Sequence, residues 1–270
     1  MNSDNPDMST SQSDPESYRM GLLEHLRELR KRLLYSALAI TLGAIGSYCY
    51  SGPIFDYLCA PFFAGFENSS LIGTSPAEAW ILKVKVAVFC GALITSPFLF
   101  FQLWQFVAPG LYEKERRLVV PFVVVSSALF IGGAAFCYYA VLPLTFNFFY
   151  QEFLSIKVTP TIRIGDHLSM TIMTLLGFGL VFELPVVTFL LARAGIIDHA
   201  FLTRWYRQAI LIIFVVAAIV TPPDVLTQLL LAGPMLLLYA ISIGIAKIAA
   251  PAEGACFQTS GAEHSFTENP

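Results

Sequence analysis

Apolar residues in this chain gather into long uncharged runs separated by short charged segments. The runs are 33–50, 86–108, 118–149, 168–192, 209–220 and 225–246. A bilayer core about 30 Å thick takes roughly 20 apolar residues in a helix rising 1.5 Å per residue, so runs of this size predict transmembrane helices. The run 118–149 is longer than one crossing needs and is expected to tilt or to project beyond the lipid near Pro143. Between Arg207 and Lys247 the only charge is Asp224, directly after Thr221-Pro222-Pro223, a turn signal. One helix over that interval would be about 58 Å long, so two crossings joined by a tight turn are predicted. The fifth crossing, 209–220, is then short enough to thin the lipid locally. The expected fold is all-α: a polytopic membrane protein with six transmembrane helices in one domain, 21–249, whose last two helices are short. Segments 1–20 and 250–270 read as a disordered polar tail and a flexible tail.

Six crossings put both termini on one side, and the basic residues say which. Of the 16 Lys and Arg, twelve lie before the first run, in the 109–117 and 193–208 loops and in the C-terminal segment; only Lys83, Lys85, Lys157 and Arg163 lie opposite. Both ends are therefore expected in the cytoplasm, with the 51–82 loop outside. There, Ser75-Pro76-Ala77-Glu78 has the form of a capping box and marks where the second helix should start. Composition supports the membrane assignment: 56% of residues are apolar and 13% charged, against about 25% charged in a soluble domain. A net charge of −3 offers no field to hold nucleic acid. The segment before Glu16 lacks the positive region and short apolar stretch of a cleaved signal peptide.

Four places could carry chemistry. In the amphipathic segment before the first run, Glu28 has Lys31 and Arg32 at i+3 and i+4, an ordinary helical ion-pair spacing. In the 109–117 loop, Glu113 has the same relation to Arg116 and Arg117, and the loop is a second acidic site near the same membrane face. If Glu28 and Glu115 converge, they offer two carboxylates to a partner with two guanidiniums, which meet carboxylate in a planar fork that lysine cannot reproduce. Glu183 lies inside an apolar run, where a carboxylate costs a few kcal/mol and must face protein or water. Pro185 leaves the Val181 carbonyl without its usual helical donor, so a kink is expected beside Glu183. Thr221, Asp224 and Gln228 form a polar group at the last turn, where Asp224 can simply cap the sixth helix. No metal, cofactor or enzymatic chemistry is expected: the four His have no ligand spacing, the five Cys sit scattered, mostly in apolar runs, and no phosphate-binding glycine loop or serine or zinc hydrolase motif occurs.

These segments form an ordered set: His25-Leu26-Arg27-Glu28-Leu29-Arg30-Lys31-Arg32-Leu33; Phe106-Val107-Ala108-Pro109-Gly110-Leu111-Tyr112 with Glu115-Arg116-Arg117; Phe182-Glu183-Leu184-Pro185; and Thr221-Pro222-Pro223-Asp224. From Leu22 to Ile248 the chain resembles the TatC family, the multispanning receptor subunit of the twin-arginine, Sec-independent protein translocase. The resemblance implies a concave six-helix receptor in the cytoplasmic membrane, not an enzyme. Such a receptor binds the twin-arginine signal peptide of folded cargo at its cytoplasmic face and uses the proton-motive force. It implies Glu28 and Glu115 at the arginine pair, with Arg30 and Phe106 nearby. Thr221 and Gln228 would meet the single-span partners TatA and TatB, and self-association in a receptor complex is implied as well. Pro61 and the 51–82 loop match the family's extracytoplasmic cap, while Pro185, Pro222 and Pro223 are structural. Glu183 matches an intramembrane carboxylate. The alternative is a secondary transporter of a small solute with Glu183 as its proton or cation site, which would show repeated halves; none are seen.

Overall fold

The computed structural model describes residues 15–66, 70–107, 119–193, 197, 199–220 and 225–249, with side chains from Glu24 onward. Helix α1 spans Pro15–Tyr48. It therefore begins inside the segment 1–20 that reads as a tail, with Pro15 at the first helical position, where a missing backbone donor costs little. The tail expectations for 1–14 and 250–270 lie outside the described residues.

The 51–82 segment is not a plain loop. Helix α2 spans Ser51–Gly65, bent by 90° from α1. The bend follows from Pro53, which has no N–H for the carbonyl one turn back and so cannot continue α1. Leu58, Phe62 and Phe66, four residues apart, bury one face of α2, and Phe62 stacks on Phe66 and meets Phe146 edge-on. Pro61 lies inside α2, not at a turn. Strand β1 (Leu71–Ile72) then pairs in parallel with β2 (Ile162–Arg163), a short ladder beside an otherwise helical fold.

Helix α3 spans Glu78–Val107, and the carboxylate half of the predicted capping box forms, while the Glu78 N–H bonds the Ser75 backbone carbonyl at 3.1 Å. The Glu78 carboxylate accepts from the backbone N–H of Thr74 at 2.6 Å and of Ser75 at 3.3 Å. Its other oxygen accepts from the Gly165 N–H at 3.2 Å, at the start of helix α6 (Ile164–Phe182). One side chain thus ties the loop before α3 to the loop before α6 beside the β1–β2 ladder. Glu78→Ala is expected to speed hydrogen exchange at the Thr74, Ser75 and Gly165 amides together. Unchanged protection at Gly165 would mean the backbone alone holds the two loops.

Helix α4 (Val119–Phe136) continues through a π-helical turn, Cys137–Val141, into α5 (Leu142–Ser155). The Leu142 N–H reaches back to the Cys137 carbonyl, and Pro143 follows without a donor of its own, so the wider turn absorbs the missing bond. This continuous helix, Val120–Ser155, has 36 residues, about 54 Å at 1.5 Å per residue, which exceeds the lipid core as its long uncharged run predicts. Helix α7 (Leu184–Arg193) follows α6, α8 is His199–Arg204, α9 is Tyr206–Val220 and α10 is Val225–Ala249.

Three described helices are long and apolar enough to cross a bilayer, Glu78–Phe106, Val120–Ser155 and Ile164–Arg193; α1 and α2 pass that test as a bent pair. Tyr206–Ile219 and Leu231–Lys247 are shorter apolar helices. Leu34, Leu38, Leu42 and Ile45 each leave more than half their surface uncovered along α1, a stripe suited to lipid and not to water. The main helical neighbour of α1 is α3, and the two backbones meet through glycine: a Cβ built on Gly91 would lie 2.5 Å from the Ala44 nitrogen.

Candidate functional site

Because α1 and α3 run antiparallel, the N-terminal part of α1 meets the C-terminal end of α3, and this brings together residues about 70 positions apart. The His25 ring stacks on Phe106 with centroids 4.4 Å apart. One turn on, Glu28 Oε1 lies 3.1 Å from Nη2 of Arg32. Arg32 Nη1 donates to Gln102 Oε1 at 2.9 Å and also to Gln105 Oε1. Gln102 is buried, whereas about a third of the Glu28 side chain is open.

Magnitudes say which end of this group is fixed. Hydrogen bonds to a charged group are worth about 1.5–3 kcal/mol each, and Arg32 makes two to α3. The pair with Glu28 is partly buried and lies within one helix, and such an i,i+4 pair is worth about 0.3–0.5 kcal/mol when exposed. Arg32 is held by α3, and Glu28 is the movable member.

The structure therefore places Glu28 and Phe106 at one site. Arg30, two residues on from Glu28 and so about 200° round the helix, is exposed and makes no ion pair with a described residue. Glu115 lies outside the described residues. Arg32, Gln102 and Gln105 were not among the candidates. A faint signal existed: Gln102 and Gln105 are spaced i,i+3, so two amides share one face of an apolar run just before Phe106.

Where a kink is expected, the structure has a one-residue interruption at Glu183 between α6 and α7 within the apolar span Ile164–Arg193. Glu183 is buried and lies beside Ser126 of α4. Trp104 of α3 donates to the Ser126 hydroxyl at 3.2 Å. Pro185 lies in the first turn of α7, where its missing donor costs little, and the Val186 and Val187 N–H groups both bond the Glu183 carbonyl. Glu183 Oε1 is buried without a hydrogen-bond partner among the described residues. Gln228 of α10 donates to the Phe214 carbonyl of α9 at 2.9 Å, clasping the last two helices. Thr221, Pro222, Pro223 and Asp224 lie outside the described residues. Among those described, no group of three or more His, Cys, Asp and Glu could hold a metal ion.

The family model described as Sec-independent protein translocase protein (TatC) matches residues 24–234. The chain belongs to the TatC family. Relatives named Sec-independent protein translocase protein TatC include that of Campylobacter jejuni, 43% identical over 235 residues that cover 86% of this chain and 95% of the relative. That of Aquifex aeolicus is 37% identical over 231 residues, covering 85% and 96%. A solved structure described as the twin-arginine translocase receptor TatC superposes with a TM-score of 0.77 at 37% identity, covering 83% of this chain and 99% of the other. The same receptor in DDM gives the same values. As a TatC protein this chain is a translocase component and a multispanning membrane protein, in a transport family and not an enzyme family. The small-solute transporter alternative loses its ground, since it rested on the intramembrane Glu183 alone.

Proposed function

We propose that this TatC protein is the receptor for twin-arginine signal peptides, with Glu28 taking a guanidinium of the cargo at the cytoplasmic face. The observation that carries this reading is the state of Glu28: a partly open carboxylate in the N-terminal part of α1, one turn from the His25–Phe106 stack, already engaged with a guanidinium in a setting made of α3 amides. Glu115 supplies the second carboxylate, so that two adjacent arginines are met by two acids. Phe106 gives the apolar wall against which the peptide lies. Arg30, on the far face of α1, meets lipid phosphates or the peptide's flanking acidic groups.

Six helices cross the cytoplasmic membrane in a concave bundle, with both termini inside, as the twelve-to-four distribution of Lys and Arg favours. The short α9, the Thr221–Asp224 turn and Gln228 form the surface for the single-span TatA and TatB subunits, where thinned lipid eases a partner helix into place. Copies of the chain associate in the receptor complex, and the proton-motive force drives transport without nucleotide or cofactor.

The test is export of a folded twin-arginine cargo from cells carrying Glu28→Gln, Glu115→Gln or both. Each single change is expected to reduce export at least tenfold and the pair to abolish it. Normal export by the double variant would refute the site.

A further inference from the structure

The kind of group that Glu28 is proposed to take from cargo already stands beside it, supplied from within the chain. Arg32 Nη2 sits on Glu28 Oε1 at 3.1 Å, while its Nη1 is shared between the Gln102 and Gln105 amide oxygens. The contact has a specific asymmetry. Two amide oxygens on α3 accept from Nη1 and hold Arg32 in place whether or not Glu28 remains; Nε is buried without a hydrogen-bond partner among the described residues and Nη2 is held by Glu28, so an incoming ligand must offset the loss of the Nη2 bond. Among the described residues one oxygen of Glu28 is engaged, and the side chain is about one-third open to solvent, so an incoming group can reach the carboxylate before Arg32 leaves it.

We propose that Arg32 is a resident stand-in for the cargo's arginine, holding Glu28 in the empty receptor and left on Gln102 and Gln105 when a signal-peptide guanidinium takes the carboxylate. The proposal rests on the reading of Glu28 as a signal-peptide residue and adds to it a determinant of specificity. A ligand gains the carboxylate only by exceeding what a guanidinium already offers there. A second guanidinium, planar and able to bond both carboxylate oxygens, meets that condition; an ammonium, a compact and strongly hydrated point charge, does not. The same contact moderates affinity, because a fixed positive charge beside Glu28 repels a dicationic peptide. A receptor must also release its cargo, and a built-in competitor makes the exchange reversible without conformational work.

The experiment measures binding of two labelled synthetic peptides, one with adjacent arginines and one with adjacent lysines, to the full-length protein in lipid nanodiscs. Arg32→Gln is expected to bind the twin-arginine peptide about tenfold more tightly, about 1.4 kcal/mol, and the twin-lysine peptide by a larger factor, so discrimination falls. Gln105→Ala, at a half-buried position, is expected to weaken binding about threefold when Arg32 is present, because Arg32 then leans harder on Glu28. In the Arg32→Gln background it should have no effect. A merely structural role for Arg32 would lower binding in every variant and show no such dependence. Weaker or unchanged binding by Arg32→Gln, with Glu28→Gln losing the peptide, overturns the stand-in and leaves the site intact. Undiminished binding by Glu28→Gln overturns both. Should Arg32→Gln fail to fold, Gln105→Ala decides by discrimination: a larger loss for the twin-lysine than for the twin-arginine peptide supports the hand-over, and an equal loss, or none, overturns it.

Discussion

Gly91→Leu is expected to pull α1 away from α3 and, with it, to dismantle the site more than 10 residues further along both helices. A Cβ at Gly91 meets the Ala44 nitrogen at 2.5 Å and the Gly43 carbonyl carbon at 2.9 Å. These are backbone atoms, so no rotamer change relieves the clash. Small residues where two helices approach closely are the means by which membrane helices pack. Overfilling such a contact costs about 1–3 kcal/mol where side chains can move, and more where they cannot. The consequence travels because α3 is α1's main helical partner: once the two separate, Arg32 leaves Gln102 and Gln105 and His25 leaves Phe106. The measurement pairs the thermal unfolding midpoint in detergent with signal-peptide affinity, and both should fall. Gly46→Leu, on the facing helix α1, is the control, since a Cβ there meets nothing within 4 Å. Equal losses in the two variants would show that added bulk on either helix, and not the glycine contact, is responsible.

Glu183→Ala is the second change expected to have a large effect. The carboxyl is buried at the α6–α7 junction beside Ser126 of α4, whose hydroxyl accepts from Trp104 of α3. Removing the carboxyl leaves a gap where three helical segments meet, at a cost of about 1–3 kcal/mol. Because the two residues lie beside each other, the double variant with Ser126→Ala should lose less than the sum of the single changes. Strict additivity in thermal unfolding would show that Glu183 and Ser126 act independently. Glu183→Gln, which keeps the shape and a hydrogen-bonding group, is expected to fold close to normally.

Much of this architecture can be read from residue order. The uncharged runs mark where helices lie, Ser75 through Glu78 marks where α3 begins, and Pro185 marks the break beside Glu183, since each depends on neighbours within a turn or two. Helix α2 shows where such reading stops. Leu58, Phe62 and Phe66 recur every four residues, yet Pro53 and Pro61 frame and interrupt the segment in the manner of a loop; only the burial of that face against Phe146 and His167 pays for the helix.

The site divides in the same way. Glu28 and Phe106 stand out as chemistry placed at the ends of apolar runs. That Arg32 belongs to α3 as much as to Glu28 depends on Gln102 and Gln105, about 70 residues distant, and the spacing of Glu28 and Arg32 alone describes an ordinary surface pair. Gln228, read as a residue of the partner interface, also clasps α9 to α10 through the Phe214 carbonyl, a role that its position near the turn does not reveal.

Photo-crosslinking from a twin-arginine signal peptide to the purified receptor tests the central claim most directly, with the probe placed next to the arginine pair and the crosslinked residues identified by mass spectrometry. Adducts are expected at 25–32 and 102–106 with the arginine peptide, and few or none with its lysine counterpart. Equal labelling by both peptides, or labelling concentrated elsewhere on the protein, would contradict the assignment of Glu28 as the cargo's arginine site.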